Sequence, residues 1–165
     1  MGMVACFTSL SEEILARLRE DEDLIEDFLY PDDGDSEPDN YIDLDKAWHG
    51  LHYLLTGEAE GAEAPLGLTV IGGEEFGPDV GYGPARFLSA EQVAQVAKAL
   101  EPITVESLSA KFDPQDMERK QIYPDIIWVR DGVDALDYLL ENYEQLAVFY
   151  RDAAARGEAV IQWLS

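Results

Sequence analysis

Residues Asp43–Gly57 read D-L-D-K-A-W-H-G-L-H-Y-L-L-T-G, and this stretch predicts one helix with both ends marked. Asp43 or Asp45 stands where an N-cap is wanted, and an acid there also suits the helix dipole. Leu44, Trp48, Leu51 and Leu55 follow the i, i+4, i+7, i+11 spacing of a buried face. Gly57 holds the C′ position, where a left-handed backbone closes a helix. The segment also contains both histidines of the chain. His52 shares a face with Trp48 and Leu55, so it is expected in the core with a hydrogen-bonded ring.

Working outward, Val4–Phe7 is a short apolar run that predicts a first strand. Ser9 with Glu12 fits a capping box, and Ser11 is a second candidate cap for the helix that follows. The acidic run Glu20–Asp23 interrupts the helical spacing, which fits one bent helix or two short ones. Tyr30-Pro31 ends the helical segment, because proline disfavours the helical region at the residue before it. Pro31–Asn40, P-D-D-G-D-S-E-P-D-N, combines turn residues with concentrated negative charge and is expected to be an exposed acidic loop. Its acids lack the regular spacing and terminal glutamate of a calcium loop.

Beyond Gly57, Leu66–Ile71 fits a strand or a buried helix end equally well. Gly72–Pro84 is rich in turn residues, and Ala85–Leu88 reads as extended. Ser89 with Gln92, Thr104, and Asp113 followed by Pro114 mark three further helix starts. Val133–Arg156 is the longest helix candidate, and Ala159–Leu164 is the clearest strand. The pattern predicts a single α+β domain over residues 1–165, helix-rich, around a small mixed sheet containing both terminal segments.

The Asp43–Gly57 stretch is similar to the YfbM-like bacterial family, a domain of unknown function. The resemblance is densest at Leu44-Asp45-Lys46, Trp48, Leu51-His52 and Leu54 to Gly57. Gly83-Pro84-Ala85-Arg86-Phe87-Leu88, Met117 and Ile122-Tyr123-Pro124 extend it. It implies a compact α+β fold and a bacterial cytoplasm. It carries over no activity and no catalytic residues.

The chain has 11 Lys and Arg against 35 Asp and Glu, a net charge of −24. Binding to nucleic acid requires cationic neutralisation of phosphates, so that class of partner is not expected. An anionic membrane surface is disfavoured for the same reason, and no apolar run nears the ~18 residues of a spanning helix. Met1–Phe7 lacks the basic region and long apolar stretch of a secretory signal, and one cysteine, Cys6, allows no internal disulfide. A cytoplasmic location is the expectation.

The chemistry is sparse. No metal site is expected: Asp45, His49 and His52 offer at most three ligands on one helix, with no second His or Cys cluster. Cys6 in an apolar strand reads as inert. The glycine-rich section lacks the G-x-G-x-x-G and P-loop arrangements, so no cofactor is expected. Two functional readings follow. The leading one is a non-enzymatic acidic module that binds a basic protein, with a toxin-immunity role as its concrete form. The alternative is a small-molecule-binding protein or enzyme with a pocket near His52 and Arg86, drawing on Trp48, His49, His52, Tyr82 and Arg86. A deep concave pocket with convergent polar groups favours the second; a flat acidic face favours the first.

Overall fold

The computed structural model describes residues 2–32 and 36–165. Its centre is a five-stranded sheet of β1 (Ala5–Leu10), β2 (Tyr41–Asp43), β3 (Glu74–Asp79), β4 (Pro84–Leu88) and β5 (Ala159–Leu164), in the order β2-β1-β5-β4-β3. All four pairings are antiparallel, where the sequence pattern suggested a mixed sheet. The C-terminal strand is central, and its residues Ala159–Trp163 are all buried.

Strand alternation divides the core into two. Phe7, Val160 and Leu88 face a thick helical layer; Cys6, Ile161, Trp163 and Phe87 face a thin one. The thin layer is α1 (Glu12–Glu20) and α2 (Ile25–Leu29), which contribute Leu15, Leu18, Ile25 and Leu29. The thick layer holds α3 (Trp48–Thr56), α4 (Ala90–Leu100), α5 (Val105–Ser109), α6 (Pro114–Arg119), α7 (Ile127–Asp131) and α8 (Val133–Ala155). Leu139, Leu146, Tyr150 and Ala153 repeat at helical spacing along α8 and are fully buried. Burying each large apolar side chain contributes roughly 1.5–3 kcal/mol, so α8 anchors this layer.

Two local expectations are corrected. Asp43–Gly57 is not one helix. Asp43 ends β2, paired with Cys6, and Leu44 N donates to the Ala5 carbonyl at 2.9 Å. The chain then turns through Asp45 at φ +47, with Asp43 Oδ1 accepting from Asp45 N at 3.0 Å. A 3-10 turn at Asp45–Ala47 leads into α3, which starts at Trp48 without a side-chain cap. Pairing with β1 overrides the helical pattern of the first residues. Gly57 does close α3, at φ +79, its N–H on the Tyr53 carbonyl.

Ser9 is a strand residue opposite Val160, and its hydroxyl serves Glu158; Ser11 caps α1, accepting from Ile14 N at 3.2 Å. The acidic loop is anchored at its end. Pro38 is buried, and Thr8 Oγ1 donates to the Asp39 carbonyl at 2.6 Å. Residues 33–35 of that loop lie outside the described residues.

Candidate functional site

At one end of the sheet, a cavity of about 410 Å³ opens between the β3–β4 hairpin, the β5 terminus and the segment 60–72 beneath α3. Trp48, Glu75, Tyr82, Arg86 and Gln162 supply its distinctive side chains. The alternation of β4 turns Arg86 to this face while Ala85 and Phe87 enter the thin core.

Gln162 builds the floor. It is the one polar residue in the buried run of β5, 2% exposed, and all of its hydrogen-bonding ends are used. Its two Nε2 hydrogens are shared among the Leu68 carbonyl at 2.6 Å, the Thr69 carbonyl at 3.1 Å and Tyr150 Oη at 3.1 Å. Its Oε1 accepts from Gly73 N at 3.2 Å, and Tyr150 Oη donates to the Thr69 carbonyl at 2.6 Å. One amide thereby pins the C-terminal part of the strap that walls the cavity, at Leu68, Thr69 and the adjoining Gly73. Leu66–Ile71, left open between strand and helix, is a 3-10 turn at Leu66–Leu68 with turns after it. The strap folds tightly on itself at glycines: a Cβ on Gly67 would run into the Ala62 carbonyl, and one on Gly72 into the Gly67 carbonyl.

Arg86 forms the side wall. Nη1 donates to the Gly73 carbonyl at 3.1 Å and Nη2 to Glu75 Oε1 at 2.7 Å. Tyr82 sits on the rim, 51% exposed. The turn carrying it is built by Asp79 Oδ1, which accepts from Gly81 N at 2.8 Å and Gly83 N at 3.1 Å. Trp48, 5% exposed, donates from Nε1 to the Met3 carbonyl at 2.9 Å and stacks on His49 and Tyr123.

Three of the five residues proposed from sequence thus meet at one cavity: Trp48, Tyr82 and Arg86. His49 and His52 do not line it. The structure also reverses their roles. His49 has both ring nitrogens occupied: Nε2 on the Ala59 carbonyl at 2.6 Å and Nδ1 accepting from Tyr123 N at 2.8 Å. His52 was expected to be hydrogen-bonded, yet it is 1% exposed and neither nitrogen has a partner. The Gly61 backbone faces its ring closely enough to favour the proton slightly, but outside hydrogen-bond geometry. Burial lowers the proton affinity of both rings, so both are neutral at pH 7.

Asp45 does not converge on these histidines, because its Oδ2 accepts from Tyr138 Oη at 2.7 Å. Cys6 lies in the thin core, across the sheet from α3, and burial pushes its thiol up to about 11. A thiol so placed is a poor nucleophile. Gln162, Tyr150 and the glycine strap escaped the sequence reading. Their signal was a lone glutamine inside an otherwise apolar strand, A-V-I-Q-W-L.

The fold and cavity define an acidic α+β protein with helices on both faces of an open antiparallel sheet. No helix of the described residues is long and apolar enough to cross a membrane. The chain belongs to the family described as a domain of unknown function, DUF1877, whose model matches residues 1–163. The fold matches a solved structure titled as a protein of unknown function, YfbM, from Escherichia coli. The TM-score is 0.77 at 21% identity, covering 98% of this chain and 99% of that one. Among curated proteins, no sequence matches.

Proposed function

We propose that this protein binds a small organic molecule in the cavity between the β3–β4 hairpin and the 60–72 strap. The observation that carries this reading is the convergence of Trp48 from α3 with Tyr82 and Arg86 from the β3–β4 hairpin on one recess of about 410 Å³. Small-molecule sites span roughly 300–1,000 Å³ and combine apolar walls with a few fixed polar groups. Ile71 and Pro84 supply the apolar part here. The buried Gln162 network supports the reading as well, because it holds the wall in one shape before any ligand arrives. The lining has carboxylates, a guanidinium and a phenol but no thiol, imidazole or serine hydroxyl, which supports recognition over covalent catalysis.

A fragment titration of the full chain followed by amide NMR shifts tests this. Shifts are expected to cluster on residues 60–72 and 82–86, and Ala62→Trp at the exposed mouth is expected to abolish them. Binding fragments that shift only other regions would overturn the reading.

A second reading, an acidic module for a basic protein of the toxin-immunity kind, is favoured by a different observation. Among the described residues, eight of the eleven cations already sit against the chain's own carboxylates. Only seven acids serve them, which leaves most of the negative charge uncompensated and able to steer a basic partner. Binding to a basic protein at low salt, lost at high salt, is the expected result. Salt-insensitive binding, or none, counts against it.

A further inference from the structure

We propose that the cavity selects a small organic cation with an apolar body, such as an aralkyl ammonium, and that Glu60 receives its charged end. The proposal rests on the ligand-binding reading above and adds the sign of the ligand's charge. Its basis is the balance of charge within the lining. Two carboxylates, Glu60 and Glu75, face one cation, Arg86. Arg86 is already held by Glu75 at 2.7 Å and by the Gly73 carbonyl at 3.1 Å. The charge of Glu75 is therefore answered within the wall. That of Glu60 is not, since none of the ion pairs among the described residues uses it.

The remaining surface suits the rest of such a molecule. Trp48, Ile71 and Pro84 offer apolar contact. At the ~30 Å³ that each water occupies in the liquid, a recess of this size holds about a dozen non-hydrogen atoms. A primary ammonium brings three donors for a carboxylate and neighbouring carbonyls.

The competing possibility is an anion on Arg86, whose guanidinium has five N–H groups, only two of them used. A carboxylate arriving there shares Arg86 with Glu75 and meets the repulsion of both Glu60 and Glu75. It also approaches through the field of a chain carrying −24, which concentrates cations and excludes anions at the mouth. Both the local balance and the long-range field point to the cation.

Three probes that share one body test this on the full chain: phenethylamine as the cation, 2-phenylethanol as the neutral form and phenylacetate as the anion. The amides of Gly61, Gly72 and Gly83 report the cavity. Phenethylamine is expected to bind at low salt roughly tenfold more tightly than phenylacetate, with a gap that narrows as salt is added. Glu60→Gln is expected to bring the two within about threefold. Glu60 is exposed, so folding does not depend on it; Glu91→Gln, an exposed acid outside the cavity, is expected to leave the gap unchanged. Phenylacetate binding in the cavity as tightly as phenethylamine would overturn the charge assignment while leaving the ligand-binding reading standing. So would an undiminished gap in Glu60→Gln. Failure of fragments of every charge to shift the cavity amides would overturn the underlying reading itself.

Discussion

His49 Nδ1 accepts the Tyr123 backbone N–H at 2.8 Å, and this bond ties α3 to the loop that precedes α7. The same ring holds the other side through Nε2 and the Ala59 carbonyl, so one imidazole joins two loops to one helix. One turn further on, His52 is more deeply buried and holds nothing.

That contrast gives opposite outcomes for two similar substitutions. His49→Phe leaves the Ala59 carbonyl and the Tyr123 N–H unpaired and is expected to cost about 2–3 kcal/mol. His52→Leu removes two unpaired polar atoms from a buried site and is expected to stabilise by about 1 kcal/mol. Urea denaturation of both variants measures the difference. A His52→Leu loss larger than that of His49→Phe contradicts the assignment.

The same rings set a pH dependence. Burial, the largest cause in each case, lowers both folded-state proton affinities below the ordinary histidine value. The unfolded chain therefore binds protons that the folded chain refuses. The stabilising contribution is full above the unfolded value of ~6.5 and is lost as pH falls below it toward the lower folded values. The ordinary carboxylate values lie about two pH units below that of histidine, so the window that reports the histidines runs from about pH 7.5 to about 5.5. Unfolding free energy is expected to fall across that window, with a shallower slope in His52→Leu. Relief of repulsion in a −24 chain acts in the other direction, and a rise in stability across the window contradicts the account.

Gln162→Leu tests the floor of the cavity. It strands the Leu68 carbonyl and the Gly73 N–H and takes one partner from Tyr150 Oη. A loss of about 3 kcal/mol or more is expected, with amide exchange quickening first in residues 66–73. Tyr150→Phe keeps the glutamine and is expected to cost about 1–2 kcal/mol. Equal, small effects in both would show that the network does not hold the strap.

How much of this was legible in the sequence depends on whether a residue's partners were local. The helix starts at Ser89, Thr104 and Asp113 were readable because each cap bonds a residue three positions on. Ala159–Leu164 was readable from Val160, Ile161 and Trp163, because a strand between two cores is an almost continuous apolar run. The start of α3 was not, since Leu44 and Lys46 take their partners from Ala5 and Tyr138, far away in sequence. The histidines failed for the same reason: a helical wheel gives depth but not partners, and Tyr123 lies 74 positions from His49. Of the site, Arg86 was visible because cations are scarce, Tyr82 because it stands in a glycine-rich loop, and Trp48 as one of three tryptophans. The strap that gives them a common cavity was not, because Gln162 and the strap meet only in the folded sheet.

The most direct measurement of the central claim is a crystal of the full chain soaked with the tightest-binding fragment from the titration. The account predicts electron density for the fragment within ~4 Å of both Trp48 and Arg86, beneath the Tyr82 rim. Density confined to another surface, with the cavity holding only solvent, would contradict it.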